Sequence, residues 1–193
     1  MKIYQDLIRK MKLKGVSFDQ GLTAQEMLEI ESMFQFTFPM ELKSFLQTAM
    51  PISGGFPHWR YALRSDKGKK MIEYKMNWPL ESILSNIKNS DFWNKYWGNE
   101  PEKQEEKAQM ITSLIQAAPT LIPFYLHRYI PAYANQKKIP VFSVYGIDTI
   151  HYGNNLTHYL AREFGLAVPE EFYKYLNDLI EIPFWSQMDD LSL

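Results

Sequence analysis

Hydrophobic residues recur at helical spacing along the first part of the chain, with basic and polar residues between them. Ile3, Leu7, Ile8 and Met11 fall on one helical face and predict a helix over 3–13. We therefore interpret residues 1–14 as an N-terminal helical extension of the domain.

Capping signals predict two further helices. Thr23 and Glu26 stand three residues apart, as in a capping box, in which the two side chains accept hydrogen bonds from free amides at a helix start. Pro39 suits the first turn of the next helix, because the N–H that proline lacks has no partner there.

The middle of the chain is predicted to form a hairpin followed by two helices. His58–Leu63 and Met71–Met76 are strand candidates, and the turn signal Asp66–Gly68 between them indicates a hairpin. Pro79–Ile87 is predicted to be a short helix, and Pro101–Gln116 the longest helix of the chain.

Aromatic residues are frequent: the chain contains 12 Tyr, 12 Phe and 5 Trp, which fits either a recognition surface or a core. Phe92, Trp93, Tyr96 and Trp97 fall on one face of a predicted short helix that ends at Gly98. Such helical spacing is typical of a core face, so we assign most of the aromatic residues to the interior.

The pattern changes to β in the second half. Leu121–Ile130 is short and apolar, and the segments Pro140–Tyr145 and Thr149–Tyr152 flank a hairpin turn. A helix is predicted from Leu156 to Phe164, and another opens at Pro169.

The end of the chain is predicted to be loose at residues 186–193. Helices on both sides of a strand-rich middle predict a single α+β domain over residues 1–193.

Composition and charge exclude several classes of protein. The chain has no cysteine, which excludes disulfides, Cys-ligated zinc, iron–sulfur clusters and Cys nucleophiles. Its net charge of −1 combines +4 in residues 1–99 (14 basic, 10 acidic) with −5 in residues 100–193 (7 basic, 12 acidic). The near-neutral total argues against a strongly basic nucleic-acid binder. The two halves either share one fold in which their fields partly cancel, or present a basic and an acidic face.

No segment resembles a secretory signal or a membrane span. The first 15 residues alternate charged and apolar side chains without an apolar core. The uncharged run Ala108–His127 is interrupted by two prolines and five hydroxyl or amide side chains. We predict a cytoplasmic protein with no membrane partner.

Catalytic motifs are not found in the sequence. It has no glycine-rich phosphate loop and no nucleophile elbow, and the four histidines form no close metal-binding pair. Paired carboxylates lie in polar segments typical of solvated faces. We therefore predict no catalytic residues, no metal and no cofactor, and we predict that the protein is not an enzyme.

One basic segment contains interleaved aromatic residues. Between Arg60 and Lys75 there are six basic side chains, accompanied by Trp59, Tyr61 and Tyr74. Basic and aromatic residues together are typical of single-strand nucleic-acid binding, whereas lysines at a hairpin tip usually protect a sheet edge. We favour the second interpretation and predict no direct nucleic-acid partner.

An ordered series of motifs extends over about residues 15–165. The series consists of Gly21–Glu26, Ile30-Glu31, Phe38-Pro39, Leu42–Leu46, Phe56–Arg60, Phe92-Trp93, Trp97-Gly98, Pro101, Leu121–Pro131, Pro140–Tyr145, Asp148, Tyr152–Leu156 and Glu163-Phe164. It resembles the SUKH superfamily of cell-wall regulators of the Smi/Knr type and toxin-immunity proteins, in its bacterial branch. Glu81–Ile87 departs from that branch, which tends to have a glycine and an acidic pair there.

The resemblance implies an α+β domain with a twisted, mostly antiparallel sheet flanked by N- and C-terminal helices. It also implies a cytoplasmic immunity protein that binds and neutralises a cognate polymorphic toxin without catalysis. If the toxin is a nuclease, the acidic half would mimic its phosphate substrate. The partner is then a protein, and we expect a monomer or a weak homodimer.

Two alternatives stay open. Fungal relatives imply a regulatory or scaffold domain in cell-wall signalling. A hydrolase would need a cleft that gathers His127, Tyr129 and His151 with carboxylates from distant segments.

Two groups of residues are the predicted partner contacts, chosen because one follows a loop edge and the other places polar residues in apolar strands. They are His58, Trp59 and Arg60, and His127, Arg128 and Tyr129. For Trp59→Ala we expect a larger change in partner affinity than in thermal stability.

Overall fold

The computed structural model describes residues 2–133, 138–168 and 180–189. The helices are α1 Lys2–Leu13, α2 Ala24–Phe34, α3 Met40–Thr48, α4 Trp59–Arg64, α5 Asp66–Asn89, α6 Gln104–Ala117, α7 Leu156–Phe164 and α8 Trp185–Asp189. The strands are β1 Phe18–Gln20, β2 Ala49–Pro51, β3 Leu121–Tyr125, β4 Arg128–Pro131, β5 Val141–Tyr145 and β6 Asp148–Gly153. Every strand pair is antiparallel, and the predicted α+β class is confirmed.

Local signals at the ends of two helices act as the sequence suggests. The Thr23 hydroxyl accepts a hydrogen bond from the Glu26 amide at 3.1 Å, and the Glu26 carboxylate accepts one from the Thr23 amide at 2.8 Å. At the start of α7, the Asn155 side chain accepts from the His158 amide at 2.8 Å. Gly165 ends this helix in the left-handed region, at φ 58°, which glycine adopts at little cost.

The predicted hairpin over residues 58–76 is wrong, because this segment forms the helices α4 and α5. The buried side of α5 is a stripe at helical spacing, formed by Gly68, Ile72, Pro79, Ile83 and Ile87. The helix of 24 residues continues through Pro79, so it and not α6 is the longest described helix.

A tight corner joins α4 to α5. The Ser65 hydroxyl caps α5 by accepting from the Gly68 amide at 3.4 Å. A Cβ at Gly68 would overlap the backbone carbonyl of Tyr61, so this position requires glycine for close helix packing. Gly68 was predicted to mark a hairpin turn, and it instead permits this contact.

The four aromatic residues at 92–97 also differ from their prediction. Only Lys95–Trp97 is helical, as a 3-10 turn, and Trp97 is the one buried ring of the four. The Trp93 indole donates to the carbonyl of Gly98 at 2.9 Å.

The four-stranded sheet has the order β3-β4-β5-β6. The predicted hairpin around Gly146 is confirmed, with Tyr145 opposite Asp148 across the turn. The apolar segment 121–130 forms a second hairpin, which turns at Leu126 and His127.

Side chains on the two sides of the sheet enter two hydrophobic cores. The first core contains Ile122 and Phe124 with residues of the helices α1, α2, α3 and α7. The second core contains Tyr129 and Phe142 with residues of α5, α6 and α8. The helix α1 is part of the first core, because Leu7 and its neighbours on that face are buried.

Residues 186–189 are not loose, which corrects the predicted tail 186–193 over those four residues, while residues 190–193 lie outside the described residues. Residues 186–189 form most of α8, where Trp185, Ser186 and Met188 are buried. The Trp185 indole donates to the carbonyl of Pro119 at 2.8 Å, because an indole N–H excluded from water needs an acceptor.

The helix predicted to open at Pro169 lies outside the described residues. No helix in the described part of the chain has the length and apolar character needed to cross a membrane.

Candidate functional site

Trp59 is a core residue, which corrects its prediction as a partner contact. Its side chain is only 2% exposed. The rings of Phe34, Phe36 and Phe38 meet it edge-on, with centroids 6.0, 6.1 and 5.6 Å away. A partner cannot reach this ring in the folded protein.

Arg60 is also occupied within the fold, so its prediction as a partner contact is corrected as well. Its guanidinium donates two hydrogen bonds to Glu26, at 2.6 and 3.0 Å, and one to Asp19 at 2.8 Å. Two more go to the carbonyls of Gln20 and Gly21, at 2.8 and 2.7 Å. These bonds lower the pKa of Glu26 to about 2 and raise the pKa of Arg60. His58 is the one exposed side chain of the three.

Arg128 and Tyr129 are buried as well, and their predictions as direct contacts are corrected. Arg128 is 9% exposed, donates to the Ser143 hydroxyl at 2.9 Å and lies 3.8 Å above the ring of Tyr152. The Tyr129 hydroxyl donates to the carbonyl of Lys75 at 2.9 Å, and burial raises its pKa. Both residues were embedded in apolar strands because they belong to the interior.

His127 lies half-buried in the turn between β3 and β4. Its ring faces Tyr145 in an edge-on contact, with centroids 6.4 Å apart. Burial, together with the nearby Arg128 charge, lowers the pKa of His127. The imidazole is therefore neutral at neutral pH. Unlike the buried Tyr129, it is partly exposed at an open surface recess.

That recess belongs to an exposed aromatic and basic surface, which we call the α5 face. It is formed by one side of α5 and by the turns of the two hairpins beside it. Its residues are Lys67, Lys70, Met71, Tyr74, Lys75, Trp78, Leu126, His127 and Tyr145. A cavity of about 330 Å³ lies between α5 and the turns, and a second of about 560 Å³ lies along the lysines.

Four large apolar or aromatic side chains of this surface are exposed. Tyr74 is 67% exposed, Tyr145 68%, Leu126 52% and Met71 46%. Single exposed apolar residues are ordinary, but a contiguous group that lines a recess marks an interaction site. The α5 face is therefore the candidate functional site.

Rigid elements hold the α5 face in place. Gly146, at φ 64°, turns the β5–β6 hairpin against α5, where a Cβ would overlap the side-chain oxygen of Asn86. The same oxygen accepts a hydrogen bond from the Ile147 amide at 3.1 Å. Together with the bond from Tyr129 to Lys75, these contacts tie both hairpins to the helix, so the recess is preformed.

The charge of the α5 face is positive at the N-terminal end of the helix. Within the described ranges, Lys67, Lys70 and Lys75 form no ion pair, while Glu73 pairs with Lys69 at 3.8 Å. Burial lowers the pKa of Lys75. Glu81 lies outside the face, in a neighbouring recess that Trp78 and Tyr145 also line.

Sequence reasoning missed this site because it assigned residues 71–76 to a strand. Positions 67, 71, 74 and 78 repeat at helical spacing on a second side of α5, separate from the buried stripe. The buried stripe and this second set of positions both repeat at helical spacing, and that shared helical period could have revealed the face in the sequence.

A second group of polar residues has the order of a nucleophile, a base and an orienting acid. The Ser186 hydroxyl lies 3.1 Å from His151 Nε2, and His151 Nδ1 lies 2.6 Å from the Asp189 carboxylate. Ser186 also accepts from the Ile182 amide at 2.8 Å and is only 7% exposed, while His151 packs on Phe142 at 4.6 Å between centroids. A nucleophile must reach its substrate, so we interpret this group as a connection that fastens α8 to β6.

Among the residues that the structure describes, no group of three or more His, Asp or Glu side chains is arranged to hold a metal ion. The hydrolase alternative required His127, Tyr129 and His151 in one cleft. His127 and Tyr129 do line the same recess, whereas His151 is engaged by Asp189 and Ser186.

Comparison with protein-family models, curated proteins and solved structures finds no match to this chain in any of the three.

Proposed function

We propose that this chain is a cytoplasmic immunity protein of the SUKH type, which binds a cognate toxin through the α5 face and neutralises it by covering the toxin's active site. The observation that carries the proposal is the exposure of Tyr74, Tyr145 and Leu126 around a preformed recess. The SUKH part of the proposal rests on the sequence resemblance alone.

The composition of the α5 face supports a protein partner. Tyrosine and tryptophan dominate the energetics of protein interfaces, because their large rings bury much area with few rotatable bonds. Here Tyr74, Trp78 and Tyr145 surround the centre of the face, and lysines border one side. An apolar centre with a polar rim is the usual anatomy of an interface.

The mechanism needs no chemical step by this protein. A stable complex of ordinary size buries about 800 Å² on each partner, which extends beyond the α5 face to its surroundings. The preformed recess lowers the entropic cost of binding, since the hairpins and α5 are already fixed.

The test is co-expression with the product of a neighbouring toxin gene. We expect the wild-type chain to protect the cells and the double variant Tyr74→Ser, Tyr145→Ser to lose protection. The control is Leu13→Ser with Leu28→Ser, which removes two exposed apolar side chains elsewhere, 78% and 56% exposed. Cells that die equally fast with and without the wild-type chain would contradict the proposal for that toxin. Protection that survives the α5-face variant would contradict the assigned surface.

A further inference from the structure

We propose that the α5 face receives an acidic, amphipathic segment of the partner protein, in which aspartate or glutamate residues stand near one bulky apolar side chain. This inference rests on the proposed function for the existence of a protein partner, and it adds the chemistry of the segment that is bound.

The charges on the face select for carboxylates. Lys67, Lys70 and Lys75 line one continuous recess along α5, and no acidic side chain of the described residues lines it with them. Because none of the three has an ion pair within the same part of the chain, their charges are available to a partner. A basic partner would meet like charges at this end of the face, which disfavours it.

The apolar part of the face fits a single large side chain. Tyr74, Trp78, Leu126 and Tyr145 line the open recess, which has a volume of about 330 Å³. A cavity of this size is at the small end of ordinary binding sites. One tryptophan, phenylalanine or leucine of the partner would serve as the anchor.

The order of the basic and aromatic residues along α5 sets the direction and spacing of the bound segment. Tyr74 and Lys75 border both recesses, so the apolar and the basic parts of the face are continuous. Lys67 lies seven residues before Tyr74 on α5, which corresponds to about 10 Å along the helix axis. In an extended partner segment this distance is about three residues. The carboxylates are therefore expected about three residues from the anchor, on the side of the α5 N-terminus.

The inference changes which charges are expected to meet the partner. The sequence suggested that the acidic half, from residue 100 onward, would contact a basic toxin surface. Four of its described carboxylates already have a partner within the fold: Glu100 with Lys107, Glu106 with Lys103, Glu163 with Arg128 and Asp189 with His151. The exposed aromatic surface lies instead beside lysines of the basic half that have no ion pair among the described residues.

The experiment selects peptides on the full chain from a phage-displayed library of random sequences. We expect the enriched peptides to combine two or more acidic residues with one aromatic or leucine anchor. Synthetic copies should bind about tenfold more weakly to the variant Lys67→Glu, Lys70→Glu, since two favourable charge pairs become repulsive. Binding to Tyr74→Ser, Tyr145→Ser should fall by about thirtyfold or more.

The chain offers matched controls for both variants. Lys14→Glu with Lys88→Glu reverses two exposed lysines outside the face, and Leu13→Ser with Leu28→Ser removes exposed apolar side chains outside it. Peptide affinity should be unchanged in both controls. Affinity should also fall as the salt concentration rises, because the charge pairs are exposed.

Several results would overturn the inference. These are enriched peptides that are basic or uncharged, or peptide binding that is insensitive to Lys67→Glu, Lys70→Glu. The inference also fails if an oligo-dT strand or an anionic phosphatidylserine vesicle binds the α5 face and no acidic peptide does. The selection uses no toxin, so it can succeed when the co-expression test fails. The acidic-segment site would then stand while the immunity proposal falls. Conversely, protection of the cells without any enriched acidic peptide would leave the immunity proposal standing and overturn the acidic-segment site.

Discussion

Two regions of this molecule contain the same kinds of residues in opposite environments. At the start of α4, Trp59 is enclosed by three phenylalanine rings and Arg60 makes five hydrogen bonds inside the fold. On the α5 face, Tyr74 and Tyr145 are about two-thirds exposed, and the lysines beside them lack ion pairs within the described ranges.

The difference teaches that residue type alone does not separate side chains that are satisfied within the fold from side chains that are left exposed. A tryptophan next to an arginine looked like a partner contact in the sequence, yet both side chains are satisfied by their own chain. On the α5 face, Tyr74 and Tyr145 remain exposed, and Lys67 and Lys70 have no ion pair within the described part of the chain. Buried area and hydrogen-bond partners determine which region has binding capacity left for another molecule.

The largest expected effect tests the structural role of Trp59. Trp59→Ala removes a ring that is 2% exposed and leaves a cavity among Phe34, Phe36 and Phe38. We expect the free energy of unfolding to fall by about 3–5 kcal/mol, measured by urea denaturation. This result would reverse the expectation from sequence that affinity changes more than stability. Trp78→Ala, at a half-buried position on the α5 face, is the control and should cost much less.

The next effect tests whether Arg60 is held by the fold. Arg60→Met keeps the length of the side chain but leaves Glu26 and Asp19 without their cation. Loss of charge-assisted hydrogen bonds at a side chain that is 13% exposed should lower the free energy of unfolding by about 2–3 kcal/mol. Lys70→Met on the α5 face should leave stability unchanged. Equal losses in the two variants would remove the distinction between the regions.

The fold was more predictable from the sequence than the site, for physical reasons. Thr23 and Asn155 act within a few residues of their own position, so the local sequence specifies the helix caps that they form. The segment 58–76 was misassigned because a short basic and aromatic run fits a strand or a helix equally well. Tertiary packing decides between them, through the contact of Gly68 with Tyr61.

The α5 face was less predictable because three separate segments build it. Leu126 and Tyr145 reach Tyr74 only after two hairpins have folded against α5. No local pattern indicates that a hairpin turn meets one side of a distant helix. His127 was chosen for a different reason, as a polar residue in an apolar segment, and it borders the recess through the same tertiary placement.

A smaller effect concerns the pH dependence of stability around Arg60. Hydrogen bonds from Arg60 hold the pKa of Glu26 at about 2, below its usual value of 4.5. Since the folded state prefers the ionised form, this contribution is present above about pH 4.5 and is lost as the pH falls towards 2. Unfolding free energies of wild type and Glu26→Gln should therefore converge over this range. A constant difference between them would contradict the assigned pairing.

Glu41 is expected to change the free energy of unfolding with pH in the direction opposite to Glu26. Burial raises its pKa to about 7, although its carboxylate accepts a hydrogen bond from the Leu156 amide at 3.3 Å. The folded state prefers the protonated form, so this contribution is present below about pH 4.5 and is lost as the pH rises through 7. Glu41→Gln should remove that loss and leave the acid-side behaviour of Glu26 intact.

The smallest expected effect is the one that defines the α5 face. Tyr74→Ser and Tyr145→Ser change side chains that are 67% and 68% exposed, so no core cavity forms. We expect each to change the free energy of unfolding by no more than about 0.5 kcal/mol in urea denaturation. A loss above about 1 kcal/mol would mean that these rings support the fold, and the α5 face would then resemble the Trp59 region. If the two variants keep their stability but lose peptide binding, the two regions are distinct, because only side chains that do not support the fold can be removed without a loss of stability.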